Sequence, residues 1–554
     1  MTQTASERFA HWEKTAADRV YLRQPQGPGQ YREYTWGEVG QQVRRMAAAL
    51  QALGLEEGDR VAIAARNSAH WIMADQAITA AGCVSVGLYP KQAAASVRHV
   101  LEHSESKAIF LGPILGQDGI LKGLPDGIIT IAFPYAESPP AQHQWDELQT
   151  AHEPLQGDLI QAPDALWTLV YTSGTTGLPK GVELTHAAAA FGAERAAADL
   201  NMQPDEVFFS YLPLAHIAER GVVEGMSLYS GGVVNFLENI DRFAEQLTEV
   251  APTRFFAVPL VWNKLRAGVL AAMPQARLDR LLRIPLLGKL IARKIRRKLG
   301  LHRVRTAFSG AAPLPEELQR WFARLGIEIL QGYGMTENVA YATTNRPGKS
   351  KIGSVGQAMP GVEIRIADTG EILTRATAQM RGYYKQPDKT AETIDAEGWL
   401  HTGDKGHLDA DGHLYITGRV KDIFKTLKGK YVAPAPIESA FAGNTAIELI
   451  CVLGSGLNQP VAVVALAEEA RDRPWGELAG SLNASLAEVN AGLEPHERLS
   501  HLFVVADEWT PDNDMITPTL KVRRDKVEAR YLPAVEPHLP DRERRVVKLE
   551  STPA

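Results

Sequence analysis

Short apolar runs with the composition of buried strands alternate with helical stretches along the first 260 residues of the chain. Thr35-Trp-Gly-Glu38 has the capping-box pattern that begins a helix, and apolar residues recur after it at helical spacing until Gly54. RVAIAA and GCVSVGLYP flank the next helical stretch and are typical of buried strands. Because parallel strands joined by helices are covered on both faces, this alternation predicts an α/β body with a mostly parallel sheet.

The pattern changes near residue 402, where short strand-like segments are separated by Asp-Gly turns. TGDKGHLDADGHLYITGRVKD predicts a β-ribbon, and a shorter α+β pattern follows it. We therefore place a domain boundary at Gly418, which gives a large domain over residues 1–417 and a small domain over residues 418–554. Residues 112–163 are rich in Gly, Pro and Gln with weak periodicity, which predicts an irregular surface connection.

The bulk composition excludes several classes of function. The chain has 59 Lys and Arg against 65 Asp and Glu, so no basic field favours nucleic acid as a partner. Its two cysteines, Cys83 and Cys451, are far apart in apolar surroundings and are predicted to be reduced core thiols. There is neither an N-terminal apolar core of the signal-peptide type nor an apolar run long enough to span a bilayer. We expect a cytoplasmic protein.

The apolar run ALWTLVY is followed directly by the ten residues TSGTTGLPKG, from Thr172 to Gly181. These residues combine glycines with hydroxyl side chains and a lysine. A strand followed by a glycine-rich loop and then a helix presents backbone N–H groups to phosphate, and Lys180 adds positive charge. The spacing is not that of a Walker A loop, because Pro179 stands where a glycine is needed and no Lys-Ser/Thr pair ends the motif. A solvated Gly/Thr-rich β-turn is the alternative interpretation.

Six further segments follow this loop along the chain: Tyr211–His216, Ser309–Pro313, Gln331–Glu337, Gly398–Asp404, Gly418–Asp422 and Thr517–Lys521. In this order, and together with the loop, they resemble the signature motifs of the adenylate-forming superfamily, which includes acyl-CoA synthetases, luciferases and the adenylation domains of peptide synthetases. The resemblance implies an α/β fold: a large N-terminal domain of α/β layers with a β-barrel-like part, plus a small mobile α+β C-terminal domain.

The resemblance implies that ATP binds with Mg²⁺ among these segments. The glycine-threonine loop would hold the β- and γ-phosphates, Thr336 would contact the α-phosphate, and Glu337 would hold the Mg²⁺ with Thr172. Tyr333 would stack on adenine, and Asp404 would accept hydrogen bonds from both ribose hydroxyls. The residues implied in nucleotide binding are Thr172, Ser173, Gly174, Thr175, Thr176, Gly177, Lys180, Gly310, Ala311, Gly332, Tyr333, Asp404 and Arg419.

Lys521 is the residue that the resemblance places at the chemical step. A carboxylate and an α-phosphate about 4 Å apart repel by roughly 4 kcal/mol at an effective dielectric near 20, and an ammonium between them offsets this repulsion. The small domain would then turn at a hinge near Lys421, so that the loop around Gly429 borders a pantetheine tunnel and the CoA thiol attacks acyl-AMP. The alternatives are a solvated surface lysine and ordinary β-turns.

Four segments favour one branch of the superfamily: YLPLAHIAER, QGYGMTEN, KGKYVAPAPIE and TPTLKVRR resemble long-chain fatty acyl-CoA synthetases. The implied reaction joins a fatty acid to CoA with ATP, and His216 would lie at the acyl entrance unless it is a core histidine. RFFAVPLVW, which holds Phe255, Phe256 and Trp262, is either a tunnel wall or a plain buried strand. Three alternatives remain: a ligase for another carboxylic acid, an acyl-[acyl carrier protein] synthetase, and a non-catalytic nucleotide-binding membrane scaffold. The sequence indicates neither the acyl chain length nor the oligomeric state.

Residues 277–305 hold eleven Lys or Arg and one Asp between leucines and isoleucines. A basic amphipathic stretch of this kind can lie on an anionic membrane surface. We therefore expect peripheral contact with the inner face of the membrane through this stretch. A solvated helical face that binds no lipid is the alternative.

Overall fold

The structure of the protein, a computed structural model, describes residues 2–114, 117–172, 178–510, 513–517, 521–541 and 543–549. Several helices begin at caps that the sequence provides, such as the capping box of Thr35 and Glu38. The helices are α1 (Ala5–Thr15), α2 (Trp36–Ala52), α3 (Ala69–Ala80), α4 (Ala94–Ser104), α5 (Gln117–Lys122), α6 (Trp145–Ala151), α7 (His186–Asp199), α8 (Ile217–Glu219), α9 (Met226–Ser230), α10 (Phe243–Val250), α11 (Pro259–Ala272), α12 (Gln275–Leu282), α13 (Leu287–Lys298), α14 (Glu316–Arg324), α15 (Pro387–Thr393), α16 (Pro434–Ala440), α17 (Glu468–Arg471), α18 (Trp475–Ala491) and α19 (Arg524–Val535).

The strands form sheets with different directions of pairing. They are β1 (Val20–Gly27), β2 (Gln30–Thr35), β3 (Arg60–Ala64), β4 (Val84–Leu88), β5 (Ser106–Leu111), β6 (Ile129–Ala132), β7 (His143–Gln144), β8 (Leu166–Thr172), β9 (Lys180–Thr185), β10 (Val207–Ser210), β11 (Val233–Phe236), β12 (Arg254–Phe256), β13 (Thr306–Ser309), β14 (Ile329–Tyr333), β15 (Thr343–Thr344), β16 (Gln357–Ala358), β17 (Glu363–Ile366), β18 (Glu371–Arg375), β19 (Gly382–Tyr383), β20 (Leu400–Leu408), β21 (Leu414–Arg419), β22 (Phe424–Lys425), β23 (Tyr431–Val432), β24 (Ile447–Leu453), β25 (Val461–Leu466), β26 (Leu502–Val505) and β27 (Val546–Lys548).

An eight-stranded sheet, in the order β19-β9-β8-β4-β3-β5-β6-β7, forms one layer of the α/β body. In this order the strands β8, β4, β3, β5, β6 and β7 are each parallel to their neighbours. At the other edge, β9 pairs with β8 and β19 pairs with β9 in the antiparallel direction. Ile63, Val86 and Phe110, on its central strands, have no exposed surface. Burial on both faces explains the near-continuous apolar runs, and the predicted α/β body with a mostly parallel sheet is confirmed.

A second sheet of nine strands brings together segments that are distant in sequence. Its order is β16-β15-β14-β13-β12-β10-β11-β1-β2, with parallel neighbours from β14 to β1. Ser309 at the end of β13 pairs with Gln331 on β14. The loops that follow these two strands therefore leave the sheet at the same edge, which is where ligands bind in open α/β sheets.

The prediction of an irregular connection over residues 112–163 is wrong. The parallel strands β6 and β7 extend the first sheet within this segment, and α6 covers it. Trp145 on α6 is fully buried, and its indole N–H donates to Gln42 Oε1 at 3.2 Å. The two strands are too short to show periodicity, and pairing with the distant strand β5 determines their structure.

The β-ribbon predicted near residues 402–420 is confirmed: β20 and β21 are antiparallel and are joined by a turn at Asp409–Gly412. With β17 and β18 they form a four-stranded antiparallel sheet in the order β17-β18-β20-β21. This sheet supplies the β-rich part of the large domain, and it carries Asp404 and Arg419 on neighbouring strands.

The chain after Gly418 has its own four-stranded sheet, in the order β24-β25-β26-β27. Its two faces bury separate apolar clusters, one around Val464 and Leu482 and the other around Phe503 and Tyr531. All residues of these two clusters follow Gly418, but the boundary at that glycine stays a prediction. Cys83 and Cys451 are both buried, as predicted.

The basic stretch 277–305 folds into α12, α13 and the turn between them. Large apolar side chains point into solvent around this turn; they are Ile284, Leu286, Leu287 and Leu290. Among the residues that the structure describes, no helix combines the length and the apolar character needed to cross a bilayer.

Gly356 lies just before β16 at a point where the backbone of two segments nearly touches. Its φ is +88°, and a Cβ there would lie 1.9 Å from the carbonyl carbon of Thr344. We expect Gly356→Ala to lower the thermal unfolding midpoint clearly more than Gly348→Ala. Gly348 has a φ of +70° but open space around its Cβ position, so its substitution carries only the left-handed backbone cost of about 1–2 kcal/mol. Equal midpoints for the two variants would contradict this prediction.

Candidate active site

The glycine-threonine loop joins two antiparallel strands. Thr172 ends β8 and pairs directly with Lys180, the first residue of β9. The prediction that a helix follows the loop directly is therefore wrong: KGVELT alternates in polarity and pairs with β8, and α7 begins only after the Thr185 cap. The predicted phosphate contacts at Ser173, Gly174, Thr175, Thr176 and Gly177 lie outside the described residues.

Lys180 and Glu337 both contact the same tyrosine side chain. The Lys180 ammonium is 4.0 Å from the centroid of the Tyr383 ring, and the Tyr383 hydroxyl donates to Glu337 Oε1 at 2.8 Å. Burial lowers the pKa of Lys180, while the nearby Glu337 charge opposes this shift. Tyr383 was not among the predicted site residues; its position beside β9 depends on the pairing of β19 with β9.

Thr336 and Glu337 are held in a tight turn after β14. Both side chains are buried, and the Glu337 carbonyl accepts from the Met380 N–H at 2.7 Å. Val339 and Ala340 follow with φ of +56° and +55°, a left-handed conformation that non-glycine residues adopt rarely. Strain of this kind persists where surrounding contacts determine the backbone, and it is frequent at functional sites.

Asp404 is the centre of a hydrogen-bonded group that includes two other predicted residues. Its Oδ2 accepts from the Tyr333 hydroxyl at 2.7 Å, and its Oδ1 accepts from Arg419 Nε at 3.1 Å. Burial, together with the Asp404 charge, raises the pKa of Tyr333, so this phenol remains a donor. The structure thus brings together the predicted adenine and ribose residues, including a Tyr333–Asp404 bond that the sequence does not indicate.

The predicted adenine loop after β13 packs closely on the strand that carries Tyr333. A Cβ on Gly310 would lie 3.3 Å from the Gly332 carbonyl oxygen, and Ala311 has a left-handed φ of +66°. The neighbouring Ser309 hydroxyl is buried and has no hydrogen-bond partner among the described residues. An unpaired polar atom at this sheet edge suits a polar ligand.

Metal binding at this site would depend on few protein ligands. The described residues contain no group of three or more His, Cys, Asp or Glu side chains that could hold an ion. The predicted donors, the Glu337 carboxylate and the Thr172 hydroxyl, are an oxygen donor set. It fits Mg²⁺, which is commonly held by one or two carboxylates plus substrate phosphates.

His216 is held as a neutral donor. Burial, and then the nearby Lys521 charge, lowers its pKa to about 3. Its Nδ1 accepts from the Ala218 N–H at 3.2 Å, so the ring proton lies on Nε2. The histidine can donate a hydrogen bond to an anion but does not act as a base through Nδ1.

The loop before His216 is anchored by two residues that sequence reasoning missed. Glu219 Oε1 accepts from the Tyr211 N–H at 3.1 Å and from the Ser210 hydroxyl at 2.9 Å. Asn67 Oδ1 accepts from the Leu214 N–H at 3.0 Å. Burial raises the pKa of Glu219 to about 8. Neither residue belongs to a spacing pattern that would have identified it.

Lys521 approaches this site from the C-terminal part of the chain. Its backbone N–H donates to Thr517 Oγ1 at 3.1 Å. Residues 518–520 lie outside the described residues. Burial, and then the Arg419 charge, lower the pKa of Lys521 to about 8, while the Asp404 and Glu337 charges oppose this shift. The ammonium is therefore within electrostatic range of the predicted ribose and metal residues.

The other two predicted residues after Gly418 lie further out. Lys421 is exposed, and its charge contributes to the lowered pKa of Lys180. Gly429 lies on an exposed turn with φ of +78°, and its N–H donates to the Thr426 carbonyl. The structure does not place Gly429 beside Asp404 or Glu337.

The segment RFFAVPLVW divides into β12 and the start of α11. Phe255 and Trp262 are fully buried within one apolar cluster. Phe256 is only partly buried, and its ring lies against the Gly310 position. The prediction of a plain buried strand therefore holds only within β12, where Arg254 and Phe255 are buried and Phe256 is partly buried.

Most of the site residues fall within two segments that match known families, and Asp404 and Arg419 lie between these segments. Residues 9–384 match the family described as AMP-binding enzyme, and residues 421–539 match the AMP-binding enzyme C-terminal domain. The chain is 33% identical over 420 residues to a putative fatty-acid–CoA ligase, fadD11, of Mycobacterium tuberculosis, covering 68% of this chain and 73% of that protein. It is 30% identical over 563 residues to the long-chain-fatty-acid–CoA ligase FadD15 of Mycobacterium bovis, covering 92% of each.

Solved structures share the fold at lower identity. The anthranilate CoA ligase AuaEII in complex with anthranoyl-AMP superposes with a TM-score of 0.80 at 21% identity, over 97% of this chain and 98% of that one. The adenylation domain of a carboxylate reductase from Mycobacterium chelonae superposes with a TM-score of 0.83 at 23% identity, over 97% and 91%. These likenesses establish a large N-terminal domain with a smaller C-terminal one.

The charges around Lys521 allow a direct test of this geometry. Because the Asp404 carboxylate raises the pKa of Lys521, Asp404→Asn is expected to lower that pKa below about 8. Competitive acetylation with acetic anhydride across pH, read by mass spectrometry of the peptide that contains Lys521, measures this pKa. Glu392→Gln is the control, because Glu392 acts on Lys180 and is not among the groups that shift Lys521. A Lys521 that titrates near the ordinary value of about 10.4 in the unsubstituted protein would contradict the geometry.

Proposed function

This chain belongs to the family of AMP-binding enzymes, and we propose that it is an ATP-dependent fatty acid–CoA ligase that prefers long-chain acids. The reaction would form acyl-AMP and pyrophosphate, and then acyl-CoA and AMP. The names of its relatives support the substrate class. The observation that carries the mechanism is the position of Lys521, whose pKa responds to Asp404, Glu337 and Arg419.

In the first step the fatty acid carboxylate attacks the α-phosphate, and pyrophosphate leaves. The Lys521 ammonium offsets the charge that develops between the two anions, while Lys180 and the loop after Thr172 hold the departing phosphates. His216 donates from Nε2 at the acyl side, which fits its neutral state at physiological pH. Thr336 contacts the α-phosphate.

The nucleoside would be held by the group around Asp404. The Asp404 carboxylate would accept hydrogen bonds from the two ribose hydroxyls. In the structure the same carboxylate accepts from the Tyr333 hydroxyl and from Arg419. The Tyr333 ring and the Gly310–Ala311 backbone enclose the adenine. Gly332 allows the close approach of these segments.

Magnesium, when bound, would supply positive charge that stabilises the phosphates. Glu337 and Thr172 are the residues that would hold it. The Tyr383 hydroxyl, which donates to Glu337 Oε1, orients the carboxylate for this role.

In the second step the small domain, which we place at residues 418–554, turns at the hinge near Lys421. Lys521 leaves the site, and the exposed turn around Gly429 takes its place beside the pantetheine of CoA. The CoA thiol then attacks the acyl carbon and AMP leaves. The exposure of Gly429 in the present arrangement supports this exchange, since the turn is free to form new contacts.

We also propose that α12, α13 and their turn bind an anionic membrane surface at its periphery. Leu286 and Leu290 are 74% and 62% exposed, which is unusual for side chains of this size. The lysines and arginines of residues 277–305 surround them, and each can contribute about 1 kcal/mol of attraction to anionic lipid. The apolar tip would enter the headgroup region.

The proposed reaction predicts separate outcomes for its two steps. With ATP and fatty acids of increasing length, pyrophosphate release should be greatest for long-chain acids, and thioester should form with CoA rather than with acyl carrier protein. Lys521→Ala should abolish pyrophosphate release but leave ATP binding largely intact, because the ammonium acts on the developing charge. Pyrophosphate assays and isothermal titration with ATP measure these outcomes.

Lys526→Ala is the matched control, because Lys526 is a partly exposed lysine five residues further on. It should retain full activity. Unchanged pyrophosphate release in Lys521→Ala would remove the proposed role of that residue. Failure of every acid to release pyrophosphate would overturn the proposed activity.

The membrane proposal predicts that the protein co-sediments with vesicles that contain phosphatidylglycerol but not with pure phosphatidylcholine vesicles. The double variant Leu286→Ser, Leu290→Ser should lose most of this binding, because it removes the apolar tip and leaves the basic residues in place. Ile240→Ser is the control, since Ile240 is 69% exposed but lies outside α12, α13 and their turn. Equal binding of all three proteins would contradict the proposal.

A further inference from the structure

Arg266 on α11 is an almost completely buried cation at the contact between the large domain and the chain after Gly418. Its side chain is 2% exposed. Nη2 donates to the Ala442 carbonyl oxygen at 2.7 Å and to Asn263 Oδ1 at 2.9 Å. Ala442 belongs to the C-terminal part, so this guanidinium bonds directly across the predicted domain boundary.

The buried Arg266 guanidinium lacks the close ion pair and the full set of hydrogen bonds that a purely structural role would need. Its nearest carboxylate, Glu317 on α14, is 3.6 Å from Nη1 and is 61% exposed. Its Nε has no hydrogen-bond partner among the described residues. Removal of a cation from water costs several kcal/mol unless it is well paired, so an apolar side chain would stabilise a permanent contact better.

The same surface of α11 and α14 receives other residues of the C-terminal part. A Cβ on Gly443 would lie 2.6 Å from Glu317 Oε2, which shows how closely the two parts approach. Lys264 Nζ lies 3.4 Å from Glu448 Oε1, but Lys264 is 69% exposed and such pairs contribute little. Arg266 is therefore the buried polar contact of this surface in the described residues.

We propose that Arg266 is a positioning residue that holds the small domain in the orientation in which Lys521 reaches the nucleotide site. The inference rests on the proposed two-step reaction. Arg266 touches neither substrate nor reacting atoms and acts through Lys521.

A guanidinium suits a contact that must form and break in every turnover. When the small domain turns, Arg266 loses its bond to Ala442 but regains hydration, so the two effects offset each other. An apolar contact of similar area would lack this compensation and would favour one orientation throughout. The arginine therefore selects an orientation without fixing it.

The test separates the two half-reactions. In Arg266→Ala, pyrophosphate release from ATP and fatty acid without CoA should fall about tenfold or more, because the orientation with Lys521 in place is less populated. Thioester formation from supplied acyl-AMP and CoA should be unchanged or faster. Arg266→Lys keeps a donor and should give an intermediate rate for the first half-reaction.

Arg530→Ala is the matched control. Arg530 is an arginine whose carboxylate partner, Asp507, also follows Gly418, so this pair does not bridge the two parts. The rates of pyrophosphate release and of thioester formation in this variant should equal those of the unsubstituted protein. Equal losses of both half-reactions in Arg266→Ala, with a lowered unfolding midpoint, would indicate a structural role and overturn the proposal, as would no change in either.

A second measurement does not depend on activity. Competitive acetylation of Lys521 in Arg266→Ala should show a pKa raised toward about 10.4, because the lysine spends more time away from the buried site. An unchanged Lys521 pKa would overturn the proposal even if no acid proved to be a substrate. Normal acyl-AMP formation by the unsubstituted protein, with an unchanged Lys521 pKa in the variant, would overturn the role of Arg266 and leave the proposed function standing.

Discussion

The buried carboxylate of Asp404 is the interaction on which the arrangement of the site depends. It accepts from Tyr333 at the end of a parallel strand and from Arg419 on an antiparallel ribbon, and it raises the pKa of Lys521 from the C-terminal part. A buried carboxylate without such donors is costly. Two regions of the fold are therefore joined at a single charged group, and Lys521 from a third region lies within its electrostatic range.

The cations around this site come from separate parts of the chain. Lys180 lies on the first sheet, Arg419 lies on the ribbon, and Lys521 arrives from the C-terminal part. Lys180 and Arg419 lie on strands that precede the proposed hinge near Lys421, whereas in the proposed reaction the position of Lys521 depends on the orientation of the small domain. In the proposed reaction, movement of that domain changes the positive charge of the pocket, and Arg266 biases the movement from outside the pocket.

Much of the fold and site could be predicted because it rests on local patterns. The capping box at Thr35, the ribbon near residue 410 and the buried strands are encoded in short runs. Two expectations failed where distant pairing decided the structure: residues 112–163 join the first sheet, and KGVELT pairs with β8 instead of starting a helix. Tyr383 was missed for the same reason, since β19 pairs with the distant strand β9. Glu219 was missed because its bonds to Ser210 and Tyr211 belong to no spacing pattern that would have identified it.

The sequence by itself determined which chemical groups the protein carries and the order in which they occur, because motif residues are local in the chain. Only the tertiary structure decided that Asp404 bonds Tyr333, that His216 is neutral, and that Arg266 is buried against Ala442. Hydrogen-bond partners, burial and pKa depend on groups that are tens to hundreds of residues apart in the chain. No local pattern specifies their distance, so only folding brings them within range of each other.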